Sequence, residues 1–209
     1  MTLRKFFKSI FNKTSKYSQA GQDLFAIELF GDCGTYVDIG AGEPIYLNNT
    51  YLLEVKKNWK GISIDYGDRD LNKIENLKKL WKNCEERKNK IYWADALTFN
   101  YKNALEENNI NTNIDFLSCD IDPQENTLLA LKKIINDGVR PKYIAFETDY
   151  YREEINYSNL AHQFLKPFGY KIGVRNVYSN LKKNKIFETW FINKNVNFET
   201  TEYSKWVKK

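Results

Sequence analysis

The hydropathy pattern predicts an α/β domain with a doubly wound, mostly parallel sheet and an antiparallel strand pair at one edge. Three observations carry this. From Thr35 to about residue 165, short runs of β-branched and aromatic residues alternate with longer amphipathic stretches, the order that builds a parallel sheet covered by helices. Two late runs, 169–175 and 185–192, have no long helix between them and read as the antiparallel pair. The first run, Thr35-Tyr36-Val37-Asp38-Ile39, passes directly into Gly40-Ala41-Gly42-Glu43, a strand entering a tight glycine turn.

The totals fit one such domain. The chain has 209 residues, 42% of them hydrophobic and 28% charged, the composition of a soluble globular protein with a full core. No apolar run approaches the roughly 20 residues of a membrane helix, and no apolar block follows the basic start as in a secretory signal. Cys33, Cys84 and Cys119 are widely separated and odd in number, so neither a zinc knuckle nor a disulfide framework is expected, and a cytoplasmic location is. The net charge is +5. Residues 1–16 carry Arg4, Lys5, Lys8, Lys13 and Lys16 and no acid, so the remainder is formally neutral. A neutral body lacks the basic face of a general nucleic-acid binder, and no nucleic-acid partner is expected.

Along the chain, Leu3, Phe6, Phe7, Ile10 and Phe11 recur at helical spacing among basic residues. This segment reads either as a helix packed on the domain or as an arm, residues 1–16, in peripheral contact with an anionic membrane. Residues 17–209 form the single domain. Ser18 is the expected cap of a helix carrying Leu24, Phe25, Ile27, Leu29 and Phe30, placed to cover a pocket mouth. Gly31 and Gly34 break it before the first strand, 35–39. Pro44 stops an immediate helix, and Asn48-Asn49-Thr50 caps one of about ten residues. Strands follow at 61–65, 90–95, 113–120 and 142–147, with helices at 69–83, 98–108, after Glu125 and around 153–165.

Each of the five parallel strands carries an acid at its carboxyl end: Asp38, Asp65, Asp95, Asp120 and Glu147. Ligands of doubly wound sheets bind outside those ends. A single acid there is commonly a helix cap. Five gathered acids repel one another unless a ligand, metal or cation compensates.

The glycine turn has three readings. A dinucleotide fingerprint requires a third glycine where Ile45 stands, and fails. The spacing Asp38-x-Gly40-x-Gly42 matches the S-adenosylmethionine turn of class I methyltransferases. The third reading is an ordinary strand-to-helix turn. In the S-adenosylmethionine reading Asp65, 23 residues beyond Gly42, accepts from both ribose hydroxyls. Asp95 accepts from the adenine amino group, the backbone of Ala96 meets a ring nitrogen, Asp120 faces the methionine ammonium, and Asp38 anchors the turn. For Asp95 and Asp38 the alternatives are a helix cap and a turn hydrogen bond.

The chain resembles the FkbM-type methyltransferases, a class I S-adenosylmethionine-dependent family. Ser18-Gln19-Ala20-Gly21-Gln22-Asp23 is similar to its N-terminal signature, and Tyr36 to Pro44 to its glycine turn. Asn49-Thr50-Tyr51-Leu52-Leu53-Glu54 with Trp59-Lys60-Gly61-Ile62 resembles its next helix and strand. Asp120-Ile121-Asp122-Pro123-Gln124-Glu125 resembles an Asp-x-Glu-Gly-x-Glu block, with Asp122 and Pro123 departing from it. The resemblance covers 17–147. It implies a Rossmann-like class I fold, a cofactor set that adds Gln19, Ala41, Glu43, Asn49 and Thr50 to the residues above, and O-methylation of sugars, glycans or other polyhydroxy compounds.

The chemistry requires an acceptor oxygen aligned with an electrophilic methyl group and a base for its proton. Asp122, Glu125, Glu147, Asp149 and His162 are the expected bases, although a lone histidine is more often structural. Asp120 or Asp122 with Glu147 and Asp149 is a second arrangement, an oxygen-only Mg²⁺ site that would acidify a diol. A silent S-adenosylmethionine-fold scaffold and a nucleotide-dependent oxidoreductase are the competing functions. The acceptor pocket is expected in loops 44–48, 149–158 and 175–184, with Tyr150, Tyr151, Tyr157 and Tyr178 available to stack on a sugar. Hydrolase and kinase readings lack their motifs.

Overall fold

Apolar alternation becomes seven strands in one sheet among the described residues, in the order β3-β2-β1-β4-β5-β7-β6. The computed structural model describes residues 16–66, 71–148, 155–178 and 186–198. The expected helix at 3–11, together with Asp149, Tyr150 and Tyr151, lies outside them.

Helix α1 (Gln22–Phe30) leads into β1 (Thr35–Ile39), α2 (Tyr51–Lys57) and β2 (Lys60–Asp65). Helix α3 (Leu71–Asn83), β3 (Lys90–Trp93), α4 (Tyr101–Glu107), β4 (Phe116–Cys119), α5 (Gln124–Asn136) and β5 (Tyr143–Glu147) continue the alternation. Helix α6 (Tyr157–Leu165), β6 (Tyr170–Tyr178) and β7 (Ile186–Asn193) complete the domain. Strands β1 to β5 pair in parallel, while β7 runs antiparallel to both β5 and β6, the edge pair the late runs predict. Strand order reverses between β1 and β4, so their carboxyl ends frame the crevice where doubly wound folds bind ligands.

The sheet is buried on both faces. Val37, Ile39, Ile62, Ile64, Leu117 and Phe146 pack with helices α4, α5 and α6. Tyr36, Phe116, Tyr143 and Trp190 pack on the other face with Phe25 of α1 and Trp59. Each such side chain removed from water stabilises the fold by about 1.5–3 kcal/mol.

Several expected boundaries shift. Strand β3 ends at Trp93 rather than at residue 95, and β4 covers 116–119 rather than 113–120. Helix α4 starts at Tyr101 because the Asn100 side chain accepts from Asn103 N and so caps it there. Helix α2 has 7 residues rather than about ten, since Asn58 turns left-handed (φ 56°) and its N–H returns to Leu53 O. Ser18 is not the cap of α1; Gly21 is, in left-handed backbone. Ser18 Oγ instead donates to Asp23 Oδ1 (2.6 Å) and accepts from Gly21 N (3.1 Å). The body of α1 packs into the core, and only the turn before it reaches the crevice.

Candidate active site

The carboxyl ends of β1 and β4 open into a half-open cavity of about 290 Å³. Its wall comprises Gln19, Asp38, the turn Gly40 to Glu43, Tyr46, Leu47, Asn49 and Asp120. This lies at the lower end of the roughly 300–1,000 Å³ of small-molecule pockets.

The glycines make the approach possible for different reasons. A Cβ on Gly40 (φ 78°) would stand 1.7 Å from Asp120 O, so only glycine lets the two strand ends close together. Gly42 (φ 59°) would place its Cβ in open space, where a ligand has room. Asp65 Oδ2 accepts from Gly42 N (2.8 Å), and Trp81 Nε1 donates to Gly42 O (2.8 Å). The turn is therefore held at both its amide and its carbonyl.

Asp38 lies within β1, not at its tip, and is 2% exposed. The parallel register sets it between Ser63 and Ser118. Thr50 Oγ1 donates to its Oδ2 (2.9 Å). Burial lifts its carboxyl from 3.8 to about 6, against the pull of Thr50, Arg87 and Ser118 and with a push from Asp120. Asn49 Nδ2 donates to Ser118 Oγ (3.0 Å). Asn49 Oδ1 is buried and meets no donor among the described residues. A buried acceptor left this way costs on the order of 1–3 kcal/mol, which a ligand N–H would relieve. Asp38, Asn49 and Asp120 together form an acceptor-rich wall suited to an ammonium group.

Beneath the turn lies a buried ionic cluster that the sequence reading does not identify. Arg87 Nε stands 2.6 Å from Glu54 Oε2, an ion pair too bent to count as a hydrogen bond. Tyr36 OH donates to the same oxygen (2.9 Å), and burial raises the Tyr36 phenol far above its usual range. Lys88 N and Asn89 N donate to Glu54 Oε1. Polar Ser63 and Ser118 inside otherwise apolar strands were a readable signal; Arg87, one arginine in a polar stretch, gave none.

The other expected residues scatter. Gln19 reaches the cavity because its neighbours are fixed: Gln22 Nε2 donates to Glu188 Oε1 (2.7 Å) and Trp190 Nε1 to Glu188 Oε2 (2.6 Å). Thr50 stands behind the wall, on Asp38. Asp65 and buried Ala96 are not part of the cavity wall. Asp95 is exposed and its Oδ1 accepts from Leu97 N (2.8 Å), as a local turn cap does. Asp122 and Glu125 are exposed at the start of α5, whose cap is Pro123. Glu147 is buried at the end of β5, directly across from Glu188 of β7. His162 stacks on Phe191 at 6.3 Å, and burial and then Arg175 and Lys166 lower its pKa, the surroundings of a packed side chain. Among the described residues no group of three or more His, Cys, Asp or Glu side chains comes together for a metal ion, so Asp120, Asp122 and Glu147 do not form the Mg²⁺ site by themselves.

No family model and no curated protein sequence matches the chain. Solved structures do. Sp1610 of Streptococcus pneumoniae with S-adenosyl-L-methionine aligns at TM-score 0.55 and 11% identity over 84% of this chain and 73% of its own. The small RNA methyltransferase HEN1 aligns at 0.54 and 14% identity over 83% of this chain, which spans 25% of HEN1. Magnesium protoporphyrin IX methyltransferase of Synechocystis PCC 6803 with bound SAM aligns at 0.52 and 9% identity, covering 92% and 91% of the two chains. These likenesses show the fold. The chain has the Rossmann-like fold of class I methyltransferases.

Proposed function

We propose that the chain is an S-adenosylmethionine-dependent O-methyltransferase of the FkbM type, acting on a hydroxyl of a sugar, glycan or other polyhydroxy small molecule. The observation that carries the cofactor assignment is the buried, donor-less Asn49 Oδ1 beside Asp38 and Asp120, at the strand-order switch point below a glycine turn. Asp38, Asn49 and Asp120 would hold the amino-acid end through its ammonium, and Asp65 the ribose hydroxyls. S-adenosylmethionine, when bound, supplies an electrophilic methyl group.

The protein's remaining task is to orient the acceptor oxygen and take its proton. Asp122 and Glu125 stand at the start of α5, just after the cavity's Asp120, and Glu147 at the end of β5; a carboxylate among them would receive that proton. HEN1 acts on small RNA. For this chain the charge balance outside residues 1–16 favours a small or glycan acceptor over RNA. The basic arm would hold this cytoplasmic protein at an anionic membrane surface. Removing residues 1–16 should abolish vesicle binding and leave cofactor binding intact; retained vesicle binding removes the arm's role.

The test is a transfer assay with methyl-labelled S-adenosylmethionine against nucleotide sugars, cell-surface glycans and a total RNA pool. Label on a glycan or sugar supports the proposal. Label on RNA alone replaces the acceptor class. Tight cofactor binding with no label anywhere leaves a scaffold as the function.

A further inference from the structure

We propose that Arg87 is the positioning residue of this cavity: one buried guanidinium fixes the loop 44–50 and, through Thr50, the side chain of Asp38. This rests on the cofactor reading above and goes beyond it by naming the group that shapes the site.

Arg87 is 8% exposed and directs its donors to residues behind the cavity wall. Nη1 donates to Pro44 O (3.0 Å) and to Asn48 Oδ1 (2.9 Å). Nη2 donates to Thr50 Oγ1 (3.1 Å), whose hydroxyl proton in turn goes to Asp38. The guanidinium also lies 4.6 Å from the centre of the Trp81 ring, and Trp81 holds the Gly42 carbonyl. One cation is thus in contact with, or one residue removed from, Asp38, Gly42, Pro44 and Asn48.

Polar contacts, rather than burial of its tip, fix the loop. Ile45 and Tyr46 are exposed at its tip, Tyr46 by 58%, so apolar burial does not set its path. Leu47 holds left-handed backbone (φ 54°), which a non-glycine residue keeps only where its surroundings impose it. Asn48 imposes it from inside: Nδ2 donates to Ala41 O (2.9 Å) and Glu43 O (3.0 Å), while Oδ1 accepts from Tyr51 N (2.7 Å) and from Arg87. Glu54, with Tyr36 OH and the amides of residues 88 and 89 also bonded to it, holds the guanidinium in place. Only arginine's planar fork reaches a carbonyl, an amide oxygen and a hydroxyl at once; the single ammonium of lysine does not.

The groups facing Asp38 are Thr50 from the loop, Ser63 from β2, Ser118, Cys119 and Asp120 from the end of β4, and Arg87 itself. Releasing Thr50 therefore changes how Asp38 is held without altering the ion pair.

The test uses the full chain with Arg87→Lys and Thr50→Val. Site-resolved amide exchange, the Asp38 carboxyl carbon resonance and calorimetric S-adenosylmethionine affinity are measured below the unfolding transition of each variant. Arg87→Lys is expected to speed exchange in residues 41–50 at least tenfold while β4, β5 and β7 stay protected, and to weaken the cofactor at least tenfold. Thr50→Val is expected to shift the Asp38 resonance and weaken the cofactor with the ion pair intact. Uniformly faster exchange across the sheet, with cofactor affinity and the Asp38 signal unchanged in the folded protein, overturns the proposal and leaves Arg87 a purely structural residue. If Arg87→Lys does not fold, Glu54→Gln, which loosens the guanidinium and leaves Thr50 on Asp38, decides on the same readouts. Absence of cofactor binding to the wild type sinks the cofactor reading instead, and the exchange and resonance arms still decide the role of Arg87.

Discussion

The two sides of the cavity are built on opposite plans. The β1 side is preorganised: Gly42 is gripped at both its amide and its carbonyl, and Asp38 is buried with Thr50 and two flanking serines. On the β4 side Asp122 and Glu125 are exposed, and the segment after Glu147 begins the loop expected to meet the acceptor. The difference teaches where variation is tolerated. A cofactor common to many enzymes calls for a rigid, buried mould, whereas an acceptor is chosen by exposed groups at loop positions.

The largest expected effect strikes the rigid side. Gly40→Ala puts a methyl group into Asp120 O and strains a positive φ, so it should cost about 3 kcal/mol or more in a denaturant titration. Gly42→Ala meets open space and should cost only about 1–2 kcal/mol, from its backbone alone. Equal costs would show that closure of β1 against β4 is not what Gly40 provides.

The exposed side should behave in reverse. Asp122→Asn is expected to change stability by less than about 0.5 kcal/mol while turnover falls about 10²-fold, if Asp122 takes the proton. Near-normal turnover moves that role to Glu125 or Glu147. Between the sides stands Asp65, which holds Gly42 N. Asp65→Ala should weaken cofactor binding by about 1.5–3 kcal/mol in calorimetry, and unchanged affinity removes it from the site. Away from the cavity, Asp95→Ala loses one turn bond, about 1 kcal/mol of stability. A cofactor affinity that also falls would return Asp95 to the adenine contact.

The same contrast explains what was legible in the sequence. Periodicity gave the strand-helix order and the antiparallel edge, since burial on both faces leaves continuous apolar runs such as Tyr143 to Phe146. The glycine turn was legible because Gly40 and Gly42 answer local backbone demands. The support of the turn was not. Arg87 lies 39 residues from Asn48, and its partners converge only after β1, β2 and α3 have packed. Ser18 has the look of a cap because it is a serine beside a helix, whereas its hydroxyl bonds Asp23. Acids at strand ends were an incomplete guide: Asp38 and Asp120 reach the cavity, while Asp95 serves its own turn.

Binding of S-adenosylmethionine to the Asp38 wall through its ammonium is read by calorimetric titration with the cofactor from roughly pH 5 to pH 8. Burial raises the Asp38 carboxyl to about 6, so the folded chain holds that proton more tightly than the unfolded one. Its contribution to stability is therefore fully present below the ordinary carboxylate pKa and is lost as the pH rises through about 6. Cofactor affinity runs the other way, because the ammonium needs the ionised carboxylate. Binding is expected to be strong at neutral pH and to decline as the pH falls through about 6, with the decline removed in Asp38→Asn. Binding that is absent at neutral pH, or equally strong across the range, contradicts it.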